Sequence, residues 1–513
     1  MIHRERLRRS RRTKEKRLPI FILILSFFAC HTHPTVDKEI LEDILGCWRG
    51  ELVVNNVPRP AEMCLFSLMS DGSLAISVIY EMGTRSRIWA SDTDVTISGN
   101  DIAWEGCRGT LNTNRDVMRM TKQSRGEKSE WLFVRDPESD ALMERIRTHD
   151  GAPWAYTVPV ARDDGWKVAD LNDVGFEEAK MTNFLDRVAR GKHKDIHSLV
   201  IVRDNKLVLE EYFADRGKIR GPVIADIFRD RVHHLASTTK TVLSALVGIA
   251  IDQGFIQDVE DPIYRYLPSY APLFSDEKKR IRVKHMLTMT PGFEWEQFRS
   301  GPRPNDGQAM WSCGDVVQYV LKKRLEAEPG LKFKYSNGVP AVMGVILKNA
   351  CGMEVGAFAE SRLFQPLGIS KYLWTSYPDG SVETDGGLAL RPRDLAKIGQ
   401  LYLNEGTWNE AQIVSVDWVR ESTRERLRFG FGSFKEWGYG YNWMQTDYRA
   451  RGRVVHSCFH SGDGEQLLSV FPELNMVIVF TAGNYGTNPN RTYDRIMEKY
   501  ILPAVSPISP PGR

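Results

Sequence analysis

The chain has no CxxC pair and no HExxH sequence. It therefore offers no ligand spacing of the zinc type, and neither a metal nor a cofactor is expected. Cys47, Cys64, Cys107, Cys313, Cys351 and Cys458 stand singly, and their spacing leaves any disulfide pairing open. The adjacent His233 and His234 read as part of a strand or turn rather than a ligand pair. Biased composition of the disordered or collagen-like kind is also missing. Basic charge is scarce outside the N-terminus. The net charge is +3, yet residues 1–17 hold nine Lys/Arg against two Asp/Glu, and the remainder holds 60 against 64. That balance excludes a nucleic-acid-binding surface over most of the chain.

What is present begins with an export segment. Residues 1–17 form a basic region, and LPIFILILSFFA is an apolar run too short to span a membrane comfortably. Cys30 follows at once and resembles the lipid-attachment cysteine of a bacterial lipoprotein. The expectation is an exported protein of the periplasm or cell envelope, attached to the membrane by a lipid on Cys30 or by an uncleaved anchor.

At 513 residues the chain has room for two or three domains. Residues 41–147 carry short alternating stretches such as Leu74, Ile76, Val78 and Tyr80, with turn signals at Asp71-Gly72 and Gly99-Asn100. This predicts a small antiparallel β-barrel or sandwich. Gly46-Cys47-Trp48-Arg49-Gly50 gives it a lipocalin-like opening, and Trp48, Trp89, Trp104 and Trp131 read either as core or as the lining of a ligand cavity. A linker is expected over 148–174, a main domain over 175–503, and a Pro-rich tail over 504–513.

The main domain opens with a helix over 177–190 and a hairpin, 198–203 and 206–213, turning at Asp204-Asn205. Helices are expected over 283–289, 315–325, 340–351, 355–363 and 391–404, with an irregular, overhanging stretch at 294–307. Strands return at 454–459, 465–471 and 476–482, before a closing helix over 490–502. Strands at both ends with helices between make the class α+β: one antiparallel sheet flanked by helices, with a helical insertion.

The stretch HHLASTTKTVLSALVGIAIDQGF, residues 233–255, carries the chemistry. Leu243, Leu246, Val247 and Ala250 recur at helical spacing, and residues three apart share a helical face. Lys240 therefore lies under Ser237. A serine hydroxyl is a weak nucleophile until a base activates it, and lysine can be that base only when neutral. The helix start also offers free N–H groups for an oxyanion. A Ser-x-x-Lys sequence alone is equally a helix cap with its lysine in solvent. A second one, Ser275–Lys278, sits in the charged run SDEKKR, where the lysine is expected to be solvated.

Two further motifs follow, Tyr335-Ser336-Asn337 and His460-Ser461-Gly462. The order STTK, YSN, HSG, with AIDQGFIQDVEDPIYRYLP, IRVKHMLTMTPGFEW, LFQPLGI and TDGGLALRPRDLAKIGQLYL around them, resembles the serine β-lactamase and penicillin-binding-protein superfamily in its class C-like branch. That branch includes esterases, D-Ala-D-Ala carboxypeptidases and a 6-aminohexanoate-dimer hydrolase. The resemblance covers about 195–502 and implies a serine hydrolase acting on a small-molecule or peptide-like acyl substrate. Within it Ser237 resembles the acylated nucleophile, Lys240 its proton acceptor and Tyr335 the proton shuttle. Asn337, His460, Ser461 and Gly462 resemble the substrate-binding positions, and the backbone N–H groups of Ser237 and Asp463 the oxyanion hole. His460 stands where β-lactamases carry lysine, which speaks against antibiotic hydrolysis. The resemblance also leaves room for a catalytically idle, penicillin-binding-like module that binds cell-wall peptide or another ligand.

Overall fold

The computed structural model describes residues 156–506, except 191, 194–195, 214–228, 299–303, 431–435 and 485–491, and the backbone of nine strands between 46 and 135. Cys30 and the side chains of the four N-terminal tryptophans lie outside the described residues.

The nine strands are β1 (Gly46–Val54), β2 (Val57–Ser67), β3 (Leu74–Tyr80), β4 (Ile88–Ser91), β5 (Thr96–Ser98), β6 (Asp101–Trp104), β7 (Cys107–Leu111), β8 (Val117–Ser124) and β9 (Glu127–Arg135). They pair antiparallel in the order β4-β3-β2-β1-β9-β8-β7-β6-β5. Ser98 stands opposite Asp101, and the expected turn residues Gly99-Asn100, like Asp71-Gly72, lie outside the described residues.

The main sheet is built from β10 (Lys167–Val168), β11 (Ile196–Arg203), β12 (Lys206–Tyr212), β18 (Leu427–Phe429), β19 (Trp437–Tyr439), β20 (Met444–Ala450), β21 (Arg453–Gly462), β22 (Gln466–Phe471) and β23 (Met476–Ala482). Between β12 and β18 in the chain come β13 (His233–His234), β14 (Tyr372–Trp374) and β15 (Leu388–Leu390), which form a small sheet. A two-stranded hairpin, β16 (Thr407–Trp408) and β17 (Ala411–Gln412), follows them. The main order is β10-β12-β11-β23-β22-β21-β20-β19-β18.

Two expectations are corrected here. The sheet is mixed rather than wholly antiparallel, because β10 joins β12 in parallel. The stretch expected as a linker is also part of the domain from Tyr156 onward. The Tyr156 hydroxyl donates to the Val208 carbonyl at 3.0 Å, and Arg393, fully buried, pairs with Asp164 at 2.5 Å and Glu210 at 2.7 Å. Arg229 completes this buried cluster on Glu210 at 3.1 Å. Charges removed from water persist only when paired in this way. The start of the expected tail is tied down too, with Ser506 N–H donating to Gly175 O at 2.8 Å.

The expected hairpin turns on Asp204 and Asn205 at φ 51° and 59°, the paired left-handed geometry of a tight two-residue turn. Every residue of β22 and β23 is buried, which requires cover on both faces. Helix Pro392–Leu403 supplies part of that cover by packing on β11, β22 and β23. Gly399 makes the approach possible, since a Cβ there would stand 2.5 Å from the Val477 Cγ1.

In the helical part, Thr239–Asp252 and Gly338–Cys351 pack on each other. The first is buried from Thr239 to Ala250, as befits a helix apolar nearly all round. The small sheet sets the entry to that helix. His233 pairs with Leu390 and His234 with Ala389, and Leu235 N–H donates to Leu388 O at 2.9 Å. Residues 235–240 are thereby held beside residues 385–390.

Candidate active site

Ser237 lies in the single turn Ala236–Thr238 that leads into helix Thr239–Asp252. Ala236 carries φ 47°, a left-handed conformation that costs a residue with a Cβ of order 1–3 kcal/mol. The turn is pinned against the sheet, with Thr238 Oγ1 donating to Gln466 O of β22 at 3.3 Å.

Lys240 is fully buried, and its Nζ contacts Ser237 Oγ at 3.0 Å, Asn337 Oδ1 at 3.3 Å and the Asp385 carbonyl at 2.5 Å. The Tyr335 hydroxyl reaches the same Ser237 Oγ at 2.8 Å. The amine also lies 5.2 Å from the centre of the Tyr335 ring. Two groups able to carry a proton thus converge on one hydroxyl. Whichever of them is deprotonated accepts the serine proton, because a hydroxyl has only one to give.

Asn337 sits at the N-terminus of helix Gly338–Cys351, where its backbone N–H donates to Gln297 Oε1 at 3.0 Å. Its Oδ1 is engaged by Lys240, so the Nδ2 end is the one that can turn to a substrate carbonyl.

The third motif runs along the end of β21. A Cβ on Gly462 would stand 2.3 Å from Leu235 O and 2.9 Å from Ser237 N. Glycine therefore lets β21 press directly against the Ser237 amide, and Asp463 is the next residue along. Ser461 and Gly462 are partly exposed, whereas the His460 side chain is fully buried. Lys240 is buried to the same degree while its amine meets Ser237 Oγ, so the two basic side chains of the motifs are alike in burial.

The second Ser-x-x-Lys sequence makes no such site. Ser275 Oγ accepts from the backbone N–H of Lys278 at 3.4 Å and lies by the Glu277 carboxylate, while the Lys278 amine donates to Leu321 O at 2.6 Å. That lysine is capped by a carbonyl rather than solvated as expected, and burial lowers its pKa.

Three residues of the site escaped the motifs. Gln297 holds Asn337 and also accepts from Trp295 Nε1 at 2.8 Å. Phe298 stacks on Tyr335, with ring centres 5.8 Å apart, and is 63% exposed. Both belong to the stretch expected to overhang the site. Asp385 holds Lys240 through its main chain, which no side-chain pattern can signal.

The arrangement agrees with comparisons to known proteins. The profile of the Beta-lactamase family matches residues 192–500. The chain is 26% identical over 286 residues to a 6-aminohexanoate-dimer hydrolase of Paenarthrobacter ureafaciens, covering 50% of this chain and 69% of that one. It is 23% identical over 409 residues to a protein of Salmonella agona that carries the provisional name D-alanyl-D-alanine carboxypeptidase, covering 66% and 91%. Among solved structures, a family VIII carboxylesterase superposes with TM-score 0.50 and 16% identity over 67% of this chain and 98% of that one, a likeness of fold.

The close approach at Gly462 has a measurable consequence. Gly462→Val should push β21 away from the Ser237 amide and slow labelling by a fluorophosphonate about 100-fold or more, the usual cost of a displacement near 1 Å. Labelling at the wild-type rate in a folded variant would show that the approach is unimportant.

Proposed function

Because the chain belongs to the Beta-lactamase family of serine hydrolases, we propose that it cleaves an ester or amide through an acyl-enzyme on Ser237. The observation that carries this reading is the convergence of Lys240 Nζ and Tyr335 OH on Ser237 Oγ, at 3.0 and 2.8 Å. Ser237 Oγ attacks the substrate carbonyl carbon, and its proton passes to Lys240. The N–H groups of Ser237 and Asp463 hold the oxyanion of the tetrahedral intermediate. Tyr335, beside the lysine, returns a proton to the leaving alcohol or amine as the intermediate collapses. Water then attacks the acyl group and Tyr335 takes its proton; as the acid departs, Ser237 Oγ recovers its proton from Lys240.

The substrate we infer is neutral around the scissile bond. A lysine in the third motif would supply fixed positive charge for a carboxylate, whereas an imidazole is not charged throughout the neutral range. His460 is also buried, so it offers no surface cation. Beside Tyr335 lies the exposed Phe298 ring, stacked on it at 5.8 Å. Flat or short apolar acyl groups suit such a surface.

For location, we propose an envelope protein held by a lipid on Cys30. The support is the basic region, the short apolar run and the cysteine directly after it. Among the described residues no single helix is long and apolar enough to cross a membrane.

Ser237→Ala and Lys240→Ala should each abolish fluorophosphonate labelling seen by intact-protein mass spectrometry, and Ser275→Ala should leave it unchanged. Tyr335→Phe should lower turnover on the order of a hundredfold, the scale of a lost positioned acid–base group. Retained activity in Lys240→Ala would refute the mechanism. On one preparation, p-nitrophenyl butyrate should be hydrolysed far faster than nitrocefin; nitrocefin turnover equal to the ester would overturn the substrate reading. Wild-type protein should partition into detergent, and Cys30→Ser should not be lipidated. A Cys30→Ser protein processed and membrane-bound like wild type would sink the lipid anchor.

A further inference from the structure

Lys240 has a second relation to Asp385, beyond the carbonyl that its amine contacts. The Asp385 side chain is 1% exposed and lies within the electrostatic reach of Lys240, although no ion pair within 4 Å joins them. Its Oδ1 accepts from the Tyr377 hydroxyl, and its Oδ2 has no hydrogen-bond partner. A buried carboxyl with one oxygen unmatched is costly and is not explained by packing.

We propose that Asp385 is the positioning residue of Lys240: its carbonyl holds the amine on Ser237, and its buried carboxyl governs how readily that amine gives up its proton. The inference rests on the serine-hydrolase reading above. Its physical basis is a conflict. A carboxylate near a buried ammonium stabilises the ammonium, yet only the free amine can accept the Ser237 proton. Burial pushes the Asp385 carboxyl above the ordinary range, while Lys240 and the Tyr377 hydroxyl pull it down. Burial and the two partners thus act on the carboxyl in opposite senses, and its neutral form is the one that frees the amine.

The groups around it come from several elements. Lys240 faces it from the nucleophile helix, with Tyr335 beyond. Tyr377 touches it, and Asp379 and Glu383 add negative charge around Tyr377. His234 lies by the Gly386 backbone and is held near neutral by burial, its pKa lowered to about 4. It therefore adds no charge over the pH range of the test.

The test is the rate of fluorophosphonate labelling of Ser237 against pH, on the full-length protein in detergent. In that reaction Oγ bonds to phosphorus, fluoride leaves, and the serine proton goes to Lys240, so the acid limb reports the amine. Asp385→Asn removes the anion and keeps the shape and an acceptor for Tyr377. The acid limb should move to lower pH by about one unit or more, with the high-pH rate kept within a few fold. Tyr377→Phe removes a donor that favours the carboxylate, and should move the limb the same way by less. It serves as the second arm if D385N does not fold. A merely structural role would lower the rate at every pH without moving the limb, and that outcome, or limbs that superimpose on wild type, overturns the inference. A wild type that never labels sinks the hydrolase reading and this inference together. A wild type that labels, with variant limbs unmoved, sinks the inference alone.

Discussion

A lysine amine sealed from water is the constraint on which the rest of the site depends. Lys240 is fully buried, and three acceptors surround its Nζ. Taking an unpaired ammonium from water costs several kcal/mol or more, so each acceptor must be in place before the lysine can be. The three come from different parts of the chain: Ser237 from its own turn, Asn337 from the start of the Gly338 helix, and Asp385 from the segment before β15. The β13–β15 pairing, the contact of the two central helices and the Gln297 bond to Asn337 each fix one of them. A structure able to bury this amine has already assembled the groups that would activate Ser237.

Stability is given up at the same place. Ala236 sits at positive φ, and β21 is drawn so close that Gly462 cannot carry a side chain. Such strain persists only where surrounding structure over-determines it. Here the surroundings are the fully buried β22 and β23 and the helix Pro392–Leu403 packed on them. A rigid sheet on one side and a buried helix on the other hold the serine within hydrogen-bond reach of both its partners. Holding reactants in place is worth as much as the acid–base chemistry itself.

How much of this was legible follows the kind of signal. Spacing put Lys240 one helical turn below Ser237, and the ordered motifs named Tyr335 and Asn337, because side-chain type and position are written in the sequence. The long buried elements were also visible: strand 476–482 and helix 391–404 were placed to within a residue. Strands β18, β19 and β20 were missed, being short or uniformly mixed in pattern. The stretch from Tyr156 reads as a linker from its prolines and glycine. Its attachment depends on Arg393, more than two hundred residues away, which no local pattern reveals. Asp385 carries no signal in the sequence, since its hold on Lys240 runs through a carbonyl that every residue possesses.

These misses bear on substrate charge. Motif reasoning placed two basic side chains, Lys240 and His460, at the site and left the balance of charge open. His460 and the Asp385 carboxyl are both buried, and that carboxyl lies within the electrostatic reach of Lys240. A compensated cation attracts a distant anion weakly, because the fields of the pair cancel with distance. Phe298, stacked on Tyr335, is apolar and exposed. The same buried carboxyl that would restrain the lysine's proton therefore also lowers the site's pull on carboxylates. Base strength and substrate charge are set by one interaction, so a change at Asp385 cannot alter the first without also altering the second.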